Sequence, residues 1–365
     1  GASAATAPDE DGVGAALREK SSPLVRISSW VSSSGACMVN QECPQGERWD
    51  SQAAGVAAIV EHHTASICTG TLVNSLDGSK PRQLFLTAFH CVRSRVEDPA
   101  FDAHDNFLPW SFLFNWESAT CDANTAPRPG SLRRSASGID AVYGASVRAY
   151  GNDTDFALLE LLEPIPDRYA VHYNGWDATG SKPNMSLIIH HPTSDLKKIT
   201  IDWDPPATKP FGGEGYYQII FGTRREWRSP HWYVDGYEVG STEGGSSGGP
   251  MFDYSGRVVG VLHGGYADCA NPHADWYGKL AHFFEQSPQW FQRGAHGTVT
   301  SWLDPQGTGV RVTNGRWLRP HAAARRADAG IELSATFLDF GSGGGGPPGG
   351  GGGGPREGES RRDEG

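Results

Sequence analysis

The chain has 365 residues, 38% of them hydrophobic and 10% aromatic, enough for one large domain or two ordinary ones. Its formal net charge of −11 argues against nucleic-acid binding, which calls for a basic stripe to neutralise phosphates. No apolar run approaches the roughly 18 residues of a membrane span, so the expectation is a soluble protein whose acidic surface mildly favours cationic substrates.

Residues 1–34 are polar and Ala-rich without a strand pattern, and read as an N-terminal extension. The chain opens at Gly1 without Met, and its "GASAATA" reads as the small-residue end of a removed signal. Short strand patterns follow: "GVAAIV" (55–60), "ICTGTLV" (67–73), "QLFLTA" (83–88), "SFLFN" (111–115), "DFALLEL" (155–161), "SLIIH" (186–190), "YQIIF" (217–221) and "RVVGVLH" (257–263). Gly, Pro, Asn or Asp bounds each of them. Helical periodicity is scarce; "KLAHFFEQSPQWF" (279–291) is the best candidate, with Pro288 as a break. The reading is mainly β, in two sheets or barrels. Past the last of these patterns, 317–340 reads as a C-terminal extension. Within it, "IELSATFLDFG" (331–341) resembles the first strand of bacterial surface β-sandwich modules, but a single strand makes no second domain. From 341 to 365 Gly, Pro and charge dominate, leaving too little apolar surface to offset ordering entropy, so a disordered tail is expected.

Six cysteines, Cys37, Cys43, Cys68, Cys91, Cys121 and Cys269, are even in number and scattered rather than gathered in C-x-x-C pairs. That spacing disfavours zinc and suits disulfides in a secreted protein, extracellular or periplasmic, although six cysteines permit 15 pairings. The histidine pairs His62–His63 and His190–His191 come without an H-E-x-x-H pattern, and neighbours on a strand face opposite ways, so they read as structural or surface residues.

Two Gly/Ser runs differ in their flanks. The terminal "GSGGGGPPGGGGGGP" leads only to charged residues, whereas "GGSSGGP" (244–250) leads at once into "MFDYSGRVVGVLHGG", a strand-forming region. In "GSSGGP" a tight turn can expose the Ser247 hydroxyl while the N–H groups of Gly245 and Ser247 point inward as an oxyanion hole. A serine hydroxyl needs a base to remove its proton, and that base needs a carboxylate. Upstream, "FLTAFHC" puts His90 at the end of an apolar strand, and "NDTDFALLEL" puts Asp155 at the mouth of another. Asp153 competes with Asp155, but only Asp155 directly precedes the apolar run.

The motifs "LTAFHC", "DFALLEL" and "GSSGGP", in that order, resemble the trypsin-like serine proteases of the chymotrypsin fold. "CTGTLVNS", "IIHHP", "LHGG", "YGKL" and "SWLDPQGTG" look like the bacterial lysyl endopeptidase branch, over roughly residues 31–314. The resemblance implies an all-β fold of two six-stranded antiparallel β-barrels, chymotrypsin-like, with the active site between them and a short C-terminal helix. It implies a protease domain over 35–316 and the disulfides Cys37–Cys269, Cys43–Cys121 and Cys68–Cys91. It also implies a secreted endopeptidase, expected as a monomer, acting on protein or peptide substrates through His90, Asp155 and Ser247 without metal or organic cofactor. A primary pocket of Asp275, His263 and Gly264 would select lysine. The residue six before the nucleophile is Ser241, which carries no charge; Asp275 in "CANPHADWYGKL" stands where the lysyl endopeptidases place the pocket aspartate. Rival acids nearby are Asp268 and Glu243, and Asp275 could instead cap a surface loop.

Three positions depart from the pattern. Phe89 replaces the usual alanine before the histidine. Ser246 stands where animal trypsins carry the aspartate that receives a new N-terminus, which implies that this activation switch is absent. The family's tryptophan near the catalytic histidine has Phe211 in "KPFGGEG" as its nearest counterpart. Two other function classes fit parts of the sequence: a protease-like fold used only for binding, and an α/β-hydrolase esterase using the G-x-S-x-G elbow with Asp253 or Asp275 and His282.

Overall fold

The computed structural model describes residues 31–61, 67–77, 82–97, 107–121, 140–212, 229–284 and 298–318. The strand pattern at 217–221, His62 and His63, Pro288, the segment 331–341 and the Gly-rich tail lie outside them.

After β1 (Val39–Asn40), six strands close into one antiparallel barrel: β2 (Val56–Val60), β3 (Ile67–Leu72), β4 (Leu84–Ala88), β5 (Phe107–Phe114), β6 (Asp140–Gly151) and β7 (Phe156–Leu161). Their order around the barrel is β2-β3-β4-β7-β6-β5, and β5 returns to β2. Side chains alternate across each strand. In β2, Ala57 and Ile59 point into the barrel with Phe85, Phe112 and Phe114, while Ala58 and Val60 pack outside against Leu113, Trp116 and Leu196. In β4, Phe85 faces inward, and Leu84, Leu86 and Ala88 face a second core.

The second half is a ten-stranded sheet. Besides β1 it holds β9 (Trp176–Asp177), β10 (Ser186–His190), β11 (Lys198–Asp202), β12 (Ala207–Thr208), β13 (His231–Val234), β14 (Pro250–Phe252), β15 (Val258–Gly265), β16 (Asp275–Lys279) and β17 (Val312–Thr313), while β8 (His172–Tyr173) and β18 (Arg316–Trp317) stand outside it, and its main path runs β1-β11-β10-β14-β15-β16-β13-β12. β9 joins β15 and carries β17, and β18 pairs with β8 in a separate ribbon. The largest apolar cluster lies between the halves, where Leu84, Leu86, Ala88, Phe156 and Leu158 meet Leu187, Ile189, Ile199, Ile201, Phe252 and Val261. Because strands at this junction are buried on both faces, they read as continuous apolar runs. The fold is therefore the chymotrypsin-like all-β architecture, with helices confined to short segments such as Leu280–Phe284 and Val299–Leu303.

Three disulfides join Cys37 to Cys269, Cys43 to Cys121 and Cys68 to Cys91. The segment before Cys37 is not loose: Val31 packs on the Leu113–Trp116 cluster, and the Ser32 and Ser34 N–H groups donate to the buried Asp195 carboxylate. The Ser34 hydroxyl adds a third bond to Asp195 at 2.5 Å, and the Gly35 N–H donates to Glu243. Residues 31–34, expected as extension, thus end in the body of the protein.

Candidate active site

His90 and Asp155 meet because of strand register. Antiparallel pairing of β4 with β7 sets Ala88 opposite Phe156, so the next residue of one strand faces the residue before the other. Phe89 N–H donates to the Asp155 carbonyl at 3.0 Å, His90 N–H to Asp155 Oδ1 at 2.8 Å, and His90 Nδ1 lies 2.6 Å from Asp155 Oδ2. The carboxylate is buried and the imidazole half exposed, with side-chain exposures of 3% and 40%. Asp155 adopts a left-handed backbone (φ 53°), which costs roughly 1–2 kcal/mol and is offset by these bonds. A helix, Phe89–Val96, begins directly after β4 and was not anticipated. Its signal was the apolar set Phe89, Val92 and Val96, all buried on one face. Asp153 is exposed and pairs with His282 at 3.5 Å.

Ser247 sits in a turn that only glycine permits on both sides. Gly245 (φ +93°) and Gly248 (φ +80°) are left-handed, and a Cβ on Gly248 would collide with Thr87 Oγ1 and the Thr69 carbonyl. The turn is fastened to both halves. Thr69 N–H donates to the Ser247 carbonyl at 2.8 Å, Thr69 Oγ1 to the Gly245 carbonyl at 2.9 Å, and Gly248 N–H to the Leu262 carbonyl. The Cys68–Cys91 disulfide connects Thr69's neighbour to His90's neighbour, tying the strand that holds Ser247 to the helix that holds the histidine. Among the described residues nothing accepts the N–H of Gly245 or of Ser247.

Behind the turn runs a chain of buried polar groups. Glu243 N–H donates to Ser246 Oγ (3.1 Å), Ser246 Oγ lies 2.7 Å from His190 Nδ1, His190 Nε2 lies 2.9 Å from Thr200 Oγ1, and Thr200 donates to the Ser241 carbonyl. Thr200's proton is committed to that carbonyl, so His190 Nε2–H donates to Thr200, and His190 Nδ1 accepts from Ser246. Burial, with Lys198 adding to it, pushes His190 down to about 3, so this neutral tautomer persists at working pH. His191 is also buried, bonded through Nδ1 to the Asp195 carbonyl, and burial holds it well below its ordinary value. The sequence reading of these two as structural or surface residues missed the task of His190, since nothing local signals a partner 56 residues away.

Asp275 does not cap a surface loop; it is 1% exposed at the start of β16. Tyr237 donates to its Oδ2 at 2.7 Å and Thr242 at 2.5 Å, and its Oδ1 lies against Gly265. Burial raises its carboxyl above the ordinary aspartate value, opposed by these two hydroxyls and the Ala267 N–H. Among the described residues no cation pairs with it. Asp268 is exposed and caps Ala270 and Asn271, Glu243 holds Gly35, and Ser241 donates to the Asp268 carbonyl. A bulge in β15 between Leu262 and Gly264 leaves His263 as an extra residue and aims it at the site. His263 Nε2 lies 3.8 Å from Asp155 Oδ2, and its ring stacks on Phe211 at 3.7 Å and 6°. Gly264 pairs with Trp276, and a Cβ built there would meet nothing within 4 Å, leaving that strand edge open.

Two groups of described residues bring metal-ligand atoms together. One is Cys68, His90 and Cys91, whose sulfurs are joined to each other; the other is the buried Asp202 with the exposed Asp204 and Glu238. Asp253 caps a turn through Ser255 and Arg257, and the antiparallel barrel lacks the parallel sheet that the esterase reading needs.

A closed antiparallel barrel packed on a second, mainly antiparallel sheet, with a histidine–aspartate pair and a glycine-framed serine turn at their junction, defines a serine protease of the trypsin-like type. The sequence agrees: the chain belongs to the lysyl endopeptidase C-terminal domain family, whose profile matches residues 31–278. Similar solved structures include Deg5, 13% identical over 69% of this chain and 98% of that one with a TM-score of 0.40. The Rv3671c protease of M. tuberculosis in its active form is 15% identical over 69% and 88%, with a TM-score of 0.38. The HtrA-type protease AlgW with a tripeptide is 14% identical over 66% and 62%, also at 0.38.

Proposed function

We propose that this protein is a secreted endopeptidase that cleaves peptide bonds after lysine, with His90, Asp155 and Ser247 as its catalytic residues. The observation that carries this reading is the double hold of Asp155 on His90, through backbone N–H and Nδ1, beside a serine turn fastened to the same disulfide. His90 takes the Ser247 proton through Nε2 as Oγ attacks the substrate carbonyl. Asp155 orients the ring and stabilises the imidazolium. The unclaimed N–H groups of Gly245 and Ser247 receive the oxyanion, and His90 returns its proton to the leaving amine. Chemistry of this kind runs without a metal.

Asp275 supports lysine selection. A buried carboxylate with no cationic partner is costly, and a substrate ammonium supplies one. Three disulfides support export to an oxidising compartment.

The test is to treat the native enzyme with a fluorophosphonate probe and to digest a protein mixture, both read by mass spectrometry. Labelling at Ser247 with new C-terminal lysines is the expected result. No label and no products would favour the binding-only reading, and cleavage at uncharged residues would remove the lysine assignment.

A further inference from the structure

Behind His263 stands a residue that the mechanism above does not use. His231 opens β13, is buried, and places Nε2 3.0 Å from His263 Nδ1. The two imidazoles share one hydrogen bond, so one nitrogen must carry the proton. The other ring nitrogen of His263 decides which. Its Nε2 lies 3.8 Å from Asp155 Oδ2, and a bare lone pair aimed at a carboxylate is repelled, whereas an N–H is attracted. With the proton on Nε2, a neutral His263 has an unprotonated Nδ1 that can only accept. His231 Nε2 is then the donor. His231 Nδ1 is left as a buried lone pair, and it has no hydrogen-bond partner among the described residues. The reverse arrangement would bury an N–H without acceptor and turn a lone pair on Asp155.

We propose that His231 is a positioning residue of the catalytic centre: its Nε2–H donates to His263 Nδ1 and holds His263 neutral, with Nε2–H toward the Asp155 carboxylate. This rests on the proposed roles of His90 and Asp155. The His263 ring lies beside that of His90, with centroids 6.4 Å apart and planes at 25°, and is itself stacked with Phe211. A protonated His263 would set a second cation beside His90 just as His90 takes the serine proton. A neutral His263 leaves the field at His90 to Asp155. The groups facing His231 are His263, His282, Asp153 and Lys279; burial is the largest influence and pushes it down to about 3, so it stays neutral throughout the working range. Those facing His263 are Asp155, His90 and His231, and burial lowers it as well.

Two variants and one spectrum test the assignment. His231→Phe keeps a ring and removes the donor; His231→Gln restores an N–H near the Nε2 position. The Phe variant should lose about tenfold in kcat on lysyl amides with KM unchanged, and its acid limb should move to higher pH as His263 becomes free to protonate. The Gln variant should recover both. In the native enzyme, 15N spectra of the labelled histidines should show His263 protonated at Nε2 and bare at Nδ1. A protonated Nδ1 in the native enzyme, or a folded Phe variant with native kcat and pH profile, overturns the proposal. Should the Phe variant not fold, the native spectrum decides. Fluorophosphonate labelling of the native enzyme separates the two levels: labelling with a protonated Nδ1 sinks this inference alone, and no labelling removes the catalytic centre that His231 would serve.

Discussion

Phe89 lies flat on Tyr150, with ring centroids 4.9 Å apart and planes 7° from parallel. A bulky residue directly before the catalytic histidine candidate threatens to crowd it. The helix turns the two in different directions instead, burying Phe89 in the barrel core and leaving His90 half exposed. Phe89→Ala should therefore empty part of that core and cost about 3–4 kcal/mol of stability. The bonds from residues 89 and 90 to Asp155 use backbone N–H groups and the imidazole, so activity per folded molecule should stay within a few-fold of native. Urea unfolding followed by turnover at fixed folded fraction checks both halves. An unchanged urea midpoint would show that the stack carries no stability.

The sequence made the strand inventory and the serine turn legible because both are local. Apolar runs bounded by breakers recover β2, β3, β4, β7, β10 and β15, and two glycines around Ser247 mark a turn whose φ values exclude other residues. Less was legible where partners are distant. β11 (KITID), β13 (HWYV) and β16 (DWYGK) carry charged or histidine residues in fully or mostly buried strands, and only the assembled sheet satisfies them. Lys198, for example, bonds Asn40 158 positions away. The same distance hid the His190–Ser246 link and the meeting of His231 with His263 across 32 residues.

Acid should destabilise this fold through its buried histidines. Burial holds His190 and His231 at about 3 and His191 well below its ordinary value, whereas an unfolded histidine binds its proton near pH 6.5. Between about pH 6.5 and 3 the unfolded chain therefore carries more protons at these sites, and stability falls as pH falls. Each contributes a slope on the order of 1 kcal/mol per pH unit in that window. Asp202, raised to about 6 chiefly by burial, has the opposite sign between roughly pH 6 and 4, and Asp275 is raised in the same direction. With His263 also lowered and Asp253 also raised, four histidines outweigh three carboxyls, so the net slope stays positive. His190→Gln should flatten it by about one proton in urea midpoints measured from pH 7 to pH 4. Equal slopes in the two proteins would mean that His190 protonates in the fold.

Adjacent serines should separate cleanly. Ser247→Ala removes the proposed nucleophile, and loss of such a residue typically costs on the order of a millionfold in turnover. Ser246→Ala instead cuts the chain from Glu243 N–H to His190 Nδ1, leaving a donor and an acceptor unmatched beneath the turn. Its main effect should be on stability, about 1–3 kcal/mol for each unsatisfied group, with a far smaller loss of turnover. Active-site titration with a fluorophosphonate counts competent sites in both variants. Equal loss from the two substitutions would mean that the wrong hydroxyl has been assigned.

The proposed selection of lysine depends on how Asp275 is already occupied. Oδ2 accepts from Tyr237 and Thr242, and both tyrosines of the group, Tyr237 and Tyr277, are held well above their ordinary values by burial and so remain donors. A primary ammonium needs one free oxygen position, whereas a guanidinium fork needs two. Cleavage after lysine should thus exceed cleavage after arginine, and both should exceed leucine. Asp275→Asn should abolish the lysine preference while leaving fluorophosphonate labelling at Ser247 intact, because Asp275 bonds neither His90 nor the serine turn. The pH dependence has a definite sign: burial raises the Asp275 carboxyl, so it takes up a proton at higher pH than an ordinary aspartate near 3.9, and lysine binding weakens as pH falls through that raised value. The affinity of a competitive alkylamine, measured from pH 8 to pH 4, isolates this titration from that of His90. An Asn variant that still prefers lysine, or an alkylamine affinity indifferent to the substitution, would assign the pocket to another residue.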